Sequence, residues 1–199
     1  MSNQSPMELA VQRIKDAGGK LVRGKWEVEV EGDLDLSYLN LTKLPPMRKV
    51  GGDFYCSYNQ LTSLEGAPEK VDGSFSCSYN QLTSLEGAPE KVGGSFFCNY
   101  NQLTSLEGAP EKVGGDFSCH RNQLTSLEGA PEKVGENFYC DNNPLPEGTV
   151  YKPGVKAAKV PPDAPPEPVE TPPPARASLG VRLFGAAGRF LGFRASERR

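Results

Sequence analysis

A mainly-β solenoid, built by stacking short units in register, is the fold class this sequence predicts. Three observations predict it. One phrase recurs with a period of 21 residues: VGGDFYCSYNQLTSLEGAPEK begins at Val50, close copies begin at Val71, Val92 and Val113, and a degraded copy begins at Val134. All five cysteines, Cys56, Cys77, Cys98, Cys119 and Cys140, fall in one column of that phrase. Each unit has room for a strand, a tight turn and an extended or 3₁₀ return, but hardly for an α-helix, and alone it has nothing to bury its Phe, Leu and Val against.

Composition sets the outer limits. At 199 residues the chain holds one domain of ordinary size plus a tail. No apolar run is long enough for a conventional transmembrane helix, and Met1 to Ala10 lacks the basic and apolar regions of a secretory signal. The single histidine, His120, argues against a His-based metal centre or a His-dependent triad, so neither catalysis nor a cofactor is expected. A net charge of −3 gives no reason to expect a nucleic-acid partner. The charge is unevenly spread. Residues 1–149 carry 13 Lys and Arg against 21 Asp and Glu, a net of −8, whereas residues 150–199 carry 9 against 4, a net of +5. An acidic body and a basic tail with different jobs follow from that split.

Taken in order, residues 1–29 read as an N-terminal cap. Ser5, Pro6 and Glu8 supply an N-cap, a first-turn proline and the third residue of a capping box. Met7, Val11 and Ile14 share the apolar face of the helix, and Gly18-Gly19 ends it. Trp26, Val28 and Val30 then alternate with Lys25, Glu27 and Glu29 as a half-buried strand. Helix and strand are expected to cover the open edge of the first repeat.

Residues 30–149 read as six repeat units, the first and last atypical. In Val30–Lys49, Leu34, Leu36, Leu41 and Leu44 stand where Phe54, Cys56, Leu61 and Leu64 stand in the next unit. Phe54 and Cys56, two apart, point to one side of a strand. Stacked copies would share one core beneath a parallel sheet with strands about 4.8 Å apart. The cysteines read as small core residues. Their spacing is not that of a zinc site, and in-register strands hold them too far apart for disulfides.

The phrase F-x-C-x-x-N-x-L-x-x-L, from Phe54 to Leu64, resembles the leucine-rich repeat, with Phe and Cys in two leucine positions. The resemblance runs from about Val30 to Leu145, and the short unit with a proline near its end is similar to bacterial and bacteriophage versions. It implies a curved solenoid with a parallel sheet on the concave face, little helix on the convex face, and a general role in binding proteins. It implies no shared chemistry. It also implies that the amides of Asn59, Asn80, Asn101, Asn122 and Asn143 bond backbone groups of neighbouring turns. Leu39 stands where the first such Asn belongs.

On the strand's other side, one column reads Tyr55, Ser76, Phe97, Ser118, Tyr139 and the next Ser57, Ser78, Asn99, His120, Asp141. The position after these reads Tyr38, Tyr58, Tyr79, Tyr100, Arg121, Asn142. Outward aromatics suit a partner-binding face; equally, duplication alone could have copied the Tyr, with stacked rings shielding the sheet. Tyr55, Tyr58, Tyr79, Phe97, Tyr100, His120, Arg121 and Tyr139 are the expected contact residues, with specificity sought where His120 and Arg121 break the pattern. Glu65 and its copies, and the Glu69-Lys70 pairs, read as solvated charge on the return segment.

Residues 150–175 hold nine prolines between Lys152 and Pro174 and read as a stiff linker. Residues 176–199 read as a basic, apolar docking tail. Leu179, Leu183, Phe190 and Phe193 follow helical spacing, Phe184 and Leu191 add apolar area, and Arg182 and Arg189 share another face. Four glycines in that stretch weaken an isolated helix, so the peptide is expected to fold on docking. A partner protein in a larger assembly is the first choice and a membrane surface the second. The expected function is therefore a non-catalytic protein-binding or structural solenoid anchored by its C-terminal tail, cytoplasmic or on a virion as a decoration or accessory component. The alternatives are a bacterial effector, which would need a catalytic cysteine outside the repeat, and a membrane-recruited adaptor.

Overall fold

The computed structural model describes residues 4–22, 27–149 and 156–158. Trp26, most of the 150–175 linker and the whole 176–199 tail, with all the docking residues named in it, lie outside the described residues.

Helix α1 (Pro6–Asp16) is followed by β1 (Lys20–Val22) and β2 (Glu27–Val30). Each repeat then contributes two short strands. One set is β3 (Leu34–Asp35), β5 (Phe54–Tyr55), β7 (Phe75–Ser76), β9 (Phe96–Phe97), β11 (Phe117–Ser118) and β13 (Asn137–Tyr139). The other is β4 (Met47–Val50), β6 (Lys70–Val71), β8 (Lys91–Val92), β10 (Lys112–Val113) and β12 (Lys133–Val134). Past the last repeat comes β14 (Lys156–Ala158).

The first set pairs strictly in parallel and in register, Phe54 beside Phe75, Phe75 beside Phe96, and so on to Phe138. This Phe sheet is closed at one end by β14, which pairs in parallel with β13. The sequence places that triplet in the linker; its backbone continues the sheet instead. The second set also pairs in parallel, and this Lys sheet begins with the antiparallel β1–β2 hairpin. A second sheet is a finding, since the return segment reads only as extended or 3₁₀. Its cause is the constant period, which sets each Lys-Val beside its copy. The backbone around the buried valines then finds partners in the neighbouring turn. Among the described residues the result is a mainly-β solenoid of about five turns.

Phe54, Phe75, Phe96, Phe117 and Phe138 are fully buried and form one column with ring centroids 5.1–5.4 Å apart. Leu61, Leu64 and Val71, with their copies, fill the rest of the interior. Each fully buried Leu, Phe or Val contributes about 1.5–3 kcal/mol, which is how units this short offset the cost of ordering. The polar side of the interior is the Asn ladder. Asn80 Oδ1 accepts the Leu61 N–H at 3.0 Å, and its Nδ2 donates to the carbonyls of Cys56 and Cys77, each at 3.0 Å. The remaining asparagines of the column repeat the pattern, so these side chains serve the backbone. At the corner before each Lys-Val strand the chain needs a glycine. Gly108 has φ +84°, and a Cβ there would lie 2.6 Å from the backbone N of Glu86.

The N-terminal end is covered twice. The capping box at Ser5 and Glu8 is formed, and Gly18 follows the helix at φ +78°. Arg13 of α1 donates to the carbonyls of Asp35 (2.9 Å) and Ser37 (3.2 Å), engaging the outer edge of β3. The apolar face differs from expectation. Ala10 and Ile14 are buried, whereas Met7 is 39% exposed, because α1 meets β3 near its C-terminal half. No described helix is long and apolar enough to cross a membrane.

Candidate functional site

The outer surface of the Phe sheet is built from three parallel columns, and each column has its own physical cause. In β5 the buried Phe54 and Cys56 flank the half-buried Tyr55, so alternation turns Tyr55 and its copies outward. Two residues on, alternation also turns Ser57, Ser78, Asn99 and His120 outward, yet these are almost wholly covered. The covering follows from the next position. Tyr38, Tyr58, Tyr79, Tyr100, Arg121 and Asn142 all have φ between 53° and 59°, the left-handed conformation that turns the chain and points the following Asn inward. A bulky residue there costs about 1–2 kcal/mol.

Four successive tyrosines carry that cost, and the stack they form offsets part of it. Tyr38, Tyr58, Tyr79 and Tyr100 lie face to face with centroids 4.5, 4.3 and 4.1 Å apart and ring planes within 13° of parallel. Such pairs contribute about 0.5–1.5 kcal/mol each. The stack ends at Tyr100. Arg121 lies over that ring, 5.1 Å from its centroid, and His120 meets it edge-on at 5.4 Å. Burial raises the phenol pKa of Tyr79, with Tyr100 and Tyr58 adding to the rise. Burial likewise raises that of Tyr139.

The middle column contains the unusual feature of this face. Ser57 Oγ and Ser76 Oγ are hydrogen-bonded at 2.8 Å, and Ser118 Oγ and His120 Nδ1 at 2.9 Å. Between them, Ser78 Oγ and both polar atoms of the Asn99 amide are buried without a partner. Register explains the Ser78 part of the gap: Ser57 finds Ser76 in the next turn, but the residue related to Ser78 in the same way is Phe97, while Ser118, which stands in that relation to Asn99, bonds His120 instead. A buried amide without partners costs about 1–3 kcal/mol. His120 is 8% exposed, and burial, reinforced by Arg121 and opposed by Asp141, lowers its pKa. Of the eight residues expected to contact a partner, Tyr55, Tyr58, Tyr79, Phe97, Tyr100 and Tyr139 are half-buried and Arg121 is exposed, so His120 alone is withdrawn. The sequence does not single out Ser78 and Asn99; its signal for Ser78 is the Phe97 that interrupts a column of hydroxyls, and it carries none for Asn99.

The thiols do other work. Cys56, Cys77, Cys98 and Cys119 are buried, free, and donate from Sγ to a carbonyl of the next turn at 3.3–3.5 Å. Burial raises their pKa, and Cys140 in the last turn is only half-buried. Among the described residues no group of His, Cys, Asp or Glu could hold a metal ion.

The second face, over the Lys sheet, is a shallow groove of about 570 Å³ lined by Lys70, Lys91, Lys112 and Lys133. Asp72 bridges Lys49 (2.7 Å) and Lys70 (2.8 Å), and the copies of Asp72 in other turns are glycines. An exposed glutamate precedes each of these four lysines, so the row is locally balanced and solvated. No protein-family model matches the chain, and no characterised protein matches it significantly.

Proposed function

We propose that the chain is a non-catalytic recognition solenoid of the short leucine-rich-repeat type, anchored through residues 176–199 to a larger assembly and presenting the outer face of its Phe sheet to a partner protein. One observation carries the reading. The buried columns are nearly the same in every turn, while the outer columns differ from turn to turn at Tyr55, Ser76, Phe97, Ser118 and Tyr139 and at His120 and Arg121. Stacking requires sameness inside and is indifferent to variety outside. The aromatic and Arg content of that face suits a protein interface. The charge split supports the anchor: an acidic body repels an acidic surface that a basic tail can hold. A decoration or accessory component of a particle is the concrete form of this reading.

Two variants test it. The chain ended near residue 150 is expected to be lost from the assembly with which the full chain co-purifies. Arg121→Glu is expected to stay with the assembly while losing the partner protein. Retention of the truncated chain would rule out the anchor; retention of the partner by Arg121→Glu would rule out the face.

A further inference from the structure

We infer that the outer face of the Phe sheet receives a segment in the polyproline II conformation, laid along the solenoid axis. The inference rests on the reading of that face as the recognition surface, and it names the kind of partner segment that fits.

The spacing of the rings comes first. Tyr55, Ser76, Phe97, Ser118 and Tyr139 are in-register neighbours, so a ring stands on every second strand with a serine notch between. Two strand spacings are about 9.6 Å at the backbone, and since the tyrosine rings on this face step by 4.1–4.5 Å, two steps at ring height are roughly 8.5 Å. A polyproline II helix has three residues per turn and repeats its same-side residues about every 9.3 Å. Over the two steps from Tyr55 to Tyr139 the two rows part by less than about 2 Å. An extended β peptide repeats its same-side residues about every 6.7 Å and falls out of step at the first ring. An α-helix brings a residue back to the same side after seven residues, about 10.5 Å, and drifts about two to three times as fast as polyproline II.

The unpartnered groups beside the central ring come second. Ser78 Oγ, Asn99 Nδ2 and Asn99 Oδ1 sit next to Phe97 with no partner, and the two side chains are 2% and 1% exposed. An amide with its donor and its acceptor both unused complements a backbone peptide group. Polyproline II leaves its backbone groups unpaired and available, whereas an α-helix has used its own. The occupant must displace a neighbouring side chain to reach Asn99. Aromatic-lined grooves are the general way such segments are held.

The experiment is a fluorescence-anisotropy titration of the full chain against three labelled peptides of about twelve residues. One has proline at every third position, one has the same composition with the prolines moved off that period, and one is a stable helix. The periodic peptide is expected to bind roughly tenfold or more tightly than either control. Phe97→Ser is expected to weaken it about tenfold or more, since the central ring is lost. This variant folds readily, because serine fills the same place at Ser76 and Ser118, and an unchanged melting temperature checks that. Asn99→Ser, which copies Ser57 and Ser78, is expected to weaken binding about threefold to tenfold. Equal binding of the periodic and scrambled peptides, tighter binding of the helix, or full binding by Phe97→Ser would overturn the inference. If no peptide binds while Arg121→Glu still loses the partner protein, the recognition face stands and the polyproline II assignment falls.

Discussion

The two sheets stack with the same geometry but present opposite kinds of surface. Outside the Lys sheet, four turns in succession show Glu-Lys, and beyond the turn marked by Asp72 those at Lys91, Lys112 and Lys133 are nearly interchangeable. Outside the Phe sheet, the five turns from Tyr55 to Tyr139 each show a different set of side chains. A ligand on the first face meets nearly equivalent positions from Lys91 to Lys133, about 4.8 Å apart, and has no preferred register there. A ligand on the second meets one central ring, one unpartnered amide and one exposed arginine. Distinct turns give a ligand a register, and the Phe sheet has the more of them.

The contrast can be broken first at the inner surfaces of the two sheets. Phe96→Ala is expected to destabilise the chain by about 3–5 kcal/mol. Val113→Ala, on the inner side of the Lys sheet, is expected to cost about 1.6 kcal/mol, two methyl groups at about 0.8 each. Urea denaturation of the two variants measures the difference, and near-equal losses would mean that the sheets share the core evenly. Next in size is the ladder between them. Asn101→Ala leaves the Leu82 N–H and the Cys77 and Cys98 carbonyls without their amide partner, and is expected to cost about 2–3 kcal/mol. Asn143→Ala, at the half-buried end of the column, should cost less in the same measurement.

A smaller effect belongs to the outer face of the Phe sheet alone. His120 is held neutral by burial, so its folded pKa lies below the ordinary value near 6.5. The unfolded chain takes up this proton first as pH falls. Stability is therefore full above about pH 6.5 and declines as pH drops toward the folded pKa. Denaturation at a series of pH values should show that decline in the native chain. His120→Asn, which copies Asn99, should reduce it, and an unchanged profile would show that other groups cause it.

The smallest perturbation is chemical. Iodoacetamide should modify Cys140 first in the folded chain and reach Cys56, Cys77, Cys98 and Cys119 only on unfolding, because burial hides them and raises their pKa. Counting modified thiols by mass spectrometry reads this directly. Rapid loss of all five thiols would mean that the interior is open.

Much of this was legible in the chain. The period placed Phe, Cys, Leu and Asn in columns, and the columns became the core and its polar ladder. The capping box at Ser5 formed because it needs only residues within one turn. Spacing defines the apolar stripe of α1 but not which end of it meets β3, and Met7 lies at the exposed end. The residues that alternation turns to the strand's outer side lie on that side, but His120 is covered there. Its covering depends on the left-handed tyrosines beside it, and no pattern of alternation reports a φ angle. The Phe sheet follows from alternation in the sequence, whereas the Lys sheet does not, because a dipeptide has no periodicity to display.

Repetition alone thus settles that identical units must stack, which residues face inward, and that the thiols become filler, because each of these follows from a shared interior and a constant spacing. The return strands' pairing, the tyrosine stack, and the Asn99 amide left without partners follow from something else. They depend on which side chain in one turn lands beside which in the next, a relation between distant residues that exists only once the turns are in register.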